Sequence, residues 1–259
     1  MAVKEVMSSE VYTARKKQSV SEVFKLMLKK DVSRIVVVEQ DKPIGIVTLR
    51  DLMDRLGSSK LAGLPPSKIR ISTVMTENPL IISPEAELEK AARIMLDRNV
   101  SCLPVVENNK LVGILTKTDL IRVCKDLDKV TVGSIYIKYD SKITPQTRIV
   151  HAKMEMWKNN LKLLPVQEFG SLVGLLTEKE LVKAFYKIRE LVESTKMDSR
   201  VRSIIVEDIM IQNPPFVKLE TPVSQAVERI LKSRLPGLPV VIDSKPVGVI
   251  QKRNLLELI

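Results

Sequence analysis

The stretch VMTENPLIISPEAELEKAARIMLDRNVSCLPVVENNKLVGILTKTDL, residues 74–120, decides how the rest of the chain is read. Leu88, Ala91 and Met95 recur at i, i+3 and i+7, which marks one buried face of a helix. CLPVV (102–106) is too brief for a helix and rich in valine, so it reads as a strand, and after a turn LVGIL (111–115) reads as a second. Thr116-Lys-Thr-Asp119 then opens another helix. With a short strand ahead of the first helix, the expected order is strand, helix, strand, strand, helix.

That block occurs four times. Aligned without a gap, 7–52, 75–120, 136–181 and 210–255 place a glycine at one offset: Gly45, Gly113, Gly174 and Gly248. Nine residues earlier stand Val36, Pro104, Pro165 and Pro239; three residues later stand Thr48, Thr116, Thr177 and Gln251. Three further on come Asp51, Asp119, Glu180 and Asn254, each followed by leucine. The helical columns recur as Val20/Val23/Met27, Ile149/Ala152/Met156 and Val223/Ala226/Ile230, and the strands as RIVVV (34–38), LLPV (163–166) and LPVV (238–241). Ser19-Val-Ser-Glu22 has the spacing of a capping box, and Thr221-Pro222 that of an N-cap followed by proline at the first helical position.

At 259 residues the chain suits two domains of roughly 120–130 residues, and 44% hydrophobic with 28% charged residues is the composition of a folded protein. One such repeat has a single layer of core and needs a partner to bury its apolar faces. Adjacency pairs repeat 1 with 2 and 3 with 4, giving expected modules at 1–124 and 125–259. After the third repeat, Leu181, Ala184, Phe185, Ile188, Leu191 and Val192 lie on one side of an amphipathic helix, and TKMDSRVRS (195–203) reads as a mobile loop.

Counting excludes several kinds of chemistry. Cys102 and Cys124 are 22 residues apart and His151 is the one histidine, so neither metal-ligand spacing nor a disulfide framework is available, and the same scarcity excludes most Ser-His-Asp and Cys-His schemes. There is no phosphate-loop glycine pattern, and an enzyme is not expected. No apolar run approaches membrane-spanning length and the first residues lack the apolar core of a signal peptide, so the expected setting is the cytoplasm, away from membranes. The net charge of +11 favours polyanionic partners: nucleotides, nucleic acid or an acidic protein surface. One Trp, four Tyr and four Phe offer few stacking platforms for single-stranded nucleic acid. A basic protein with weak, sequence-tolerant nucleic-acid binding stays open as the alternative function.

With these residues in view, the chain resembles the cystathionine-beta-synthase (CBS) domain family, as a protein of four CBS repeats in two tandem pairs. The resemblance covers almost the whole chain and implies an α/β (α+β) fold of four β-α-β-β-α repeats. It implies two Bateman modules whose clefts take adenine nucleotides (AMP, ADP, ATP) or a related adenosyl ligand. The implied function is a non-catalytic regulatory sensor acting on a protein partner, with a homodimer as a further implied association. The family's ligand motif runs Gly, two apolar residues, Thr or Ser, two variable residues, Asp. GIVTLRD (45–51) and GILTKTD (113–119) match it, GLLTEKE (174–180) has Glu180 for Asp, and GVIQKRN (248–254) departs at both polar positions.

The residues themselves suit such a ligand. A carboxylate on the first turn of a helix can accept hydrogen bonds from both ribose hydroxyls, each charge-assisted bond being worth roughly 1.5–3 kcal/mol. Thr48, Thr116 and Thr177 stand at helix starts, where free N–H groups favour phosphate, and Arg50, Lys117 and Lys179 add positive charge. Ser33, Arg34, Ser101 and Cys102, with Lys162 and Leu163, would line the cleft walls. The same Thr-x-x-Asp spacing is also a capping box, which serves stability alone, and the two roles can coexist.

Overall fold

The computed structural model describes residues 1–58, 64–123, 127–191 and 203–259. Repeat 1 contains β1 (Thr13–Ala14), α1 (Val20–Lys30), β2 (Arg34–Glu39), β3 (Lys42–Thr48) and α2 (Leu49–Leu56). Repeat 2 contains β4 (Thr76–Glu77), α3 (Leu88–Asp97), β5 (Cys102–Glu107), β6 (Lys110–Thr116) and α4 (Lys117–Arg122). Repeat 3 follows with β7 (Ile137–Lys138), α5 (Ile149–Lys158), β8 (Leu163–Glu168), β9 (Ser171–Thr177) and α6 (Glu178–Leu191). Repeat 4 ends the chain with β10 (Ile211–Gln212), α7 (Val223–Ser233), β11 (Gly237–Ile242), β12 (Lys245–Gln251) and α8 (Lys252–Leu256). The fold is mixed α+β, as the repeat pattern predicts.

In each repeat an antiparallel hairpin carries the sheet, with one register shift, as between Val37 and Val38 or Val105 and Val106. Both residues of every hairpin turn have positive φ: Gln40-Asp41, Asn108-Asn109, Phe169-Gly170 and Asp243-Ser244. This is the primed turn whose twist matches the strands it joins. The first helices bury the columns read from the sequence, with Val20, Val23, Met27, Leu88, Ala91, Met95, Ile149, Ala152, Met156, Val223, Ala226 and Ile230 all inside. Ser19 caps α1 as expected: its Oγ accepts from Glu22 N at 3.2 Å while Glu22 Oε2 accepts from Ser19 N at 2.7 Å. The Ser19 hydroxyl first, then its backbone N–H, holds the Glu22 carboxyl below the usual range.

The fourth repeat corrects one expectation. Pro222, not Thr221, is the N-cap of α7, and the helix begins one residue later at Val223. The Thr221 hydroxyl instead accepts from Lys218 N at 3.0 Å in the preceding turn, a local bond that competes with capping.

The strand ahead of the first helix is short everywhere. In repeat 1 it is β1, parallel to β2; in repeats 2 and 4 it is a single parallel bridge, Ile82 with Val105 and Val217 with Val240. In repeat 3 a hydroxyl takes part, for Ser141 Oγ donates to Pro165 O at 2.5 Å and accepts from Ile143 N at 3.3 Å.

A second set of short strands was not anticipated. β4, which opens repeat 2, pairs with β3 of repeat 1, and Ser8, which opens repeat 1, bridges to Ile114 in β6 of repeat 2. Likewise β7 of repeat 3 pairs with β12 of repeat 4, and β10 of repeat 4 with β9 of repeat 3. Each repeat therefore lends its first residues to the sheet of its neighbour, reciprocally.

The chain divides into two compact units, Met1–Leu120 with 182–200, and Ile121–Leu181 with 201–259. The expected boundary at 124/125 lies outside the described residues, as does nearly all of the loop 195–203. Within the first unit the later part of α6 is buried through Phe185, Tyr186, Ile188 and Arg189. The Phe24 and Tyr186 rings lie 4.9 Å apart, Tyr186 Oη is 2.7 Å from Ser21 Oγ, and Arg189 Nε donates to Leu56 O at 2.6 Å, satisfying a carbonyl at the end of α2. Leu191, expected on the buried face, is 70% exposed.

Candidate functional site

Strand register brings the candidate ligand residues together. β2 pairs Arg34 with Thr48, β5 pairs Cys102 with Thr116, and β8 pairs Leu163 with Thr177. The residue just before each strand then accepts from the first residue of the following helix: Ser33 O from Leu49 N at 3.0 Å, Ser101 O from Lys117 N at 3.3 Å, and Lys162 O from Glu178 N at 3.3 Å. A register slip of one residue would turn these side chains to opposite faces, since a strand's side chains alternate.

In the first unit the two edges meet. Arg34 Nη1 reaches across to Ser101 O at 3.1 Å, and its Nη2 donates to Ser33 Oγ at 2.8 Å. Ser33, Arg34, Ser101 and both Thr-Asp pairs are thereby assembled within one unit. Among the described residues two buried side-chain nitrogens lack a hydrogen-bond partner, Arg34 Nε and Arg55 Nε. Leaving such a donor unsatisfied costs about 1–3 kcal/mol, and the Arg34 nitrogen lies where repeat 1 meets Ser101 of repeat 2. Cys102 is buried, 4% exposed, behind this edge, and Lys117 and Asp119 are buried while Thr48, Arg50, Asp51 and Thr116 are partly open.

The capping role of the motif is present in full. Asp51 Oδ2 accepts from Thr48 N at 2.7 Å and Thr48 Oγ1 at 2.7 Å; Asp119 Oδ2 accepts from Thr116 N at 2.8 Å and Thr116 Oγ1 at 2.7 Å. These bonds hold each carboxylate in one orientation at its helix start. In repeat 3 the longer Glu180 still receives the Thr177 hydroxyl, through Oε2, while that hydroxyl accepts from Lys179 N at 3.2 Å. In repeat 4 Gln251 Oε1 accepts from Lys162 N at 2.9 Å, so the amide that replaces threonine ties repeat 4 to the residue just before β8 of repeat 3.

The repeated glycine has a role that the motif did not suggest. A Cβ on Gly45 would stand 2.7 Å from Met75 Sδ, on Gly113 2.6 Å from Met7 Sδ, and on Gly248 2.3 Å from Ile137 O. The glycine leaves room for the neighbouring repeat's crossing segment. The signal was in the alignment: its four copies begin with Met7, Met75, Tyr136 and Met210. His151 is exposed on α5, and among the described residues no cluster of His, Cys, Asp and Glu could hold a metal ion. No helix among them is long and apolar enough to cross a membrane.

The CBS domain family model matches residues 3–58, 71–126 and 206–259. The chain belongs to the CBS domain family. Repeat 3 lies outside those matches yet carries the same element order and strand register. An uncharacterized protein of Methanocaldococcus jannaschii, MJ1225, is 25% identical over 243 residues, which covers 86% of this chain and 85% of that protein. Its crystal structure has a TM-score of 0.85 at 22% identity, covering 99% of both chains. An uncharacterized protein of Methanopyrus kandleri, MK0525, is 30% identical over 125 residues, 48% of this chain, and is spanned for 62% of its own length. A conserved Pyrococcus horikoshii protein matches over 100% of both chains with a TM-score of 0.67 and 22% identity. These structural likenesses establish the CBS fold.

Proposed function

We propose that this CBS protein is a cytoplasmic, non-catalytic sensor that binds adenine nucleotides (AMP, ADP or ATP) in clefts between paired repeats. Its modules span 1–124 and 125–259, and a change in their packing is passed to a protein partner. The observation that carries this reading is the buried Arg34 Nε, unpartnered among the described residues at the joined cleft edges and in one unit with Asp51 and Asp119. A phosphate or ring acceptor there would remove the cost of that donor, and the oriented carboxylates would receive ribose hydroxyls.

Repeats 1 and 2 supply the sites with complete motifs, and repeat 3 a site with the longer Glu180. In repeat 4 Gln251 and Asn254 offer neither hydroxyl nor charge. A ligand shifts such a protein only through unequal affinity for two packings, so a sensor must bind one arrangement more tightly. The test is calorimetric titration of the pure protein with AMP, ADP, ATP and S-adenosylmethionine. Saturable binding of at least one without turnover is expected; vacancy at millimolar concentration of all four, or hydrolysis during the titration, overturns the proposal.

A further inference from the structure

The same backbone corner is built four times, where the loop before each first helix receives an N–H from the segment that opens the neighbouring repeat. The bonds are Ser72 N to Lys16 O at 3.1 Å, Lys4 N to Pro84 O at 2.9 Å, Glu207 N to Pro145 O at 2.9 Å and Gly133 N to Leu219 O at 2.9 Å. The side chains next to these bonds differ. In repeat 2 Lys4 pairs with Glu85 at 2.8 Å, and in repeat 3 Gln146 donates to Glu207 at 3.1 Å. At the matching corner of repeat 4, Glu220 stands opposite Gly133.

The repeat 1 corner inverts that chemistry. Where the others place Glu85, Gln146 and Glu220 it has Lys17, and where they place Lys4, Glu207 and Gly133 it has Ser72. Lys16, Lys17, Arg70 and Ser72 line an open surface hollow of about 420 Å³. Two of these cations already have acidic neighbours: Lys16 pairs with Glu39 at 2.8 Å, and Arg70 acts on the Glu22 carboxylate, which is itself bonded to Ser19. Arg70 Nη1 donates to Lys17 O at 2.7 Å, which fixes the two segments side by side. Three cations against two committed carboxylates leave the hollow positive, with a serine to donate a hydrogen bond.

We infer that this corner is a second ligand site, separate from the nucleotide clefts, which takes a small polyanion of the phosphate class. The volume lies in the range of small-molecule pockets, and cations joined with backbone-ordered segments suit phosphate oxygens. The inference does not rest on occupancy of the clefts.

The test is calorimetry of the full chain with inorganic tripolyphosphate at low salt. Binding is expected, weakened about tenfold in Lys17→Gln, the loss of one charge-assisted bond. Lys17→Glu, which installs the acid found at the repeat 2 and repeat 4 corners, should abolish it without loss of fold by circular dichroism. Lys29→Gln removes an exposed charge elsewhere and should leave affinity unchanged. Equal weakening by Lys17→Gln and Lys29→Gln would reduce the effect to net charge and overturn the site. Retention of a short DNA duplex through Lys17, with no tripolyphosphate binding, would overturn it in favour of a nucleic-acid surface.

Discussion

Met7 occupies the space that any side chain on Gly113 would need, its sulfur standing 2.6 Å from where a Cβ would lie. Repeat 1 thus reaches repeat 2 through its first residues, and Met75 against Gly45 returns the contact. Gly113→Ala should destabilise the protein by about 1–3 kcal/mol in urea unfolding, the usual cost of overpacking. Because the obstacle is a flexible methionine, the double variant Met7→Ala/Gly113→Ala should recover part of that loss. Gly248→Ala should cost more, since the obstruction there is Ile137 O at 2.3 Å and backbone cannot turn aside.

Removing a motif carboxylate should act on stability and on ligand at once. Asp119→Ala and Asp51→Ala each break a cap worth about 1 kcal/mol and should lower the melting temperature accordingly. Each should also weaken its nucleotide site by about 2 kcal/mol, near thirtyfold by calorimetry. A fall in melting temperature with unchanged affinity, measured well below the transition, would leave these residues as caps and nothing more.

Tyr139 supplies a pH signature in repeat 3. Burial, and then the Glu155 carboxylate whose Oε2 accepts from its hydroxyl at 3.4 Å, push its pKa up to about 12. The folded state holds the proton more tightly than the unfolded chain, so this stabilisation is complete below about pH 10 and is lost as pH rises towards 12. Tyr139→Phe should flatten the fall in stability across that window; an identical alkaline profile for both proteins would show that the hydroxyl does not titrate as described.

Phe169 is fully exposed with φ at +50° in the β8–β9 turn, a conformation that bulky side chains rarely hold. Phe169→Asn, giving Asn-Gly in a primed turn, should stabilise the protein by about 0.5–1 kcal/mol. A rise of roughly 1–4 °C in the melting midpoint is expected. No change, or a decrease, would mean that the turn relaxes around phenylalanine at no cost.

The hairpins and first helices were legible because their information is local. Val20/Val23/Met27 and its three counterparts repeat with helical period, RIVVV and CLPVV with strand composition, and both survive in the structure without a shift of phase. Ser19 with Glu22 was readable as a cap for the same reason. Thr221 was misread by one residue, because a threonine beside a proline can serve either the turn behind it or the helix ahead. The segments that open each repeat were missed, since two-residue strands such as β4 and β10 have no period to detect.

Four copies of one α+β unit, their pairing needs and the Thr-x-x-Asp motifs at helix starts were determined by the amino-acid order alone, since each depends on neighbours a few residues apart. What those motifs face was decided by tertiary structure. Arg34 meets Ser101, 67 residues away, and Lys17 meets the segment that carries Arg70 and Ser72 only because each repeat lends its opening residues to the next. Charges so distant in the chain leave no periodic trace, and whether they neutralise one another or gather around a hollow depends on which backbone lies beside which.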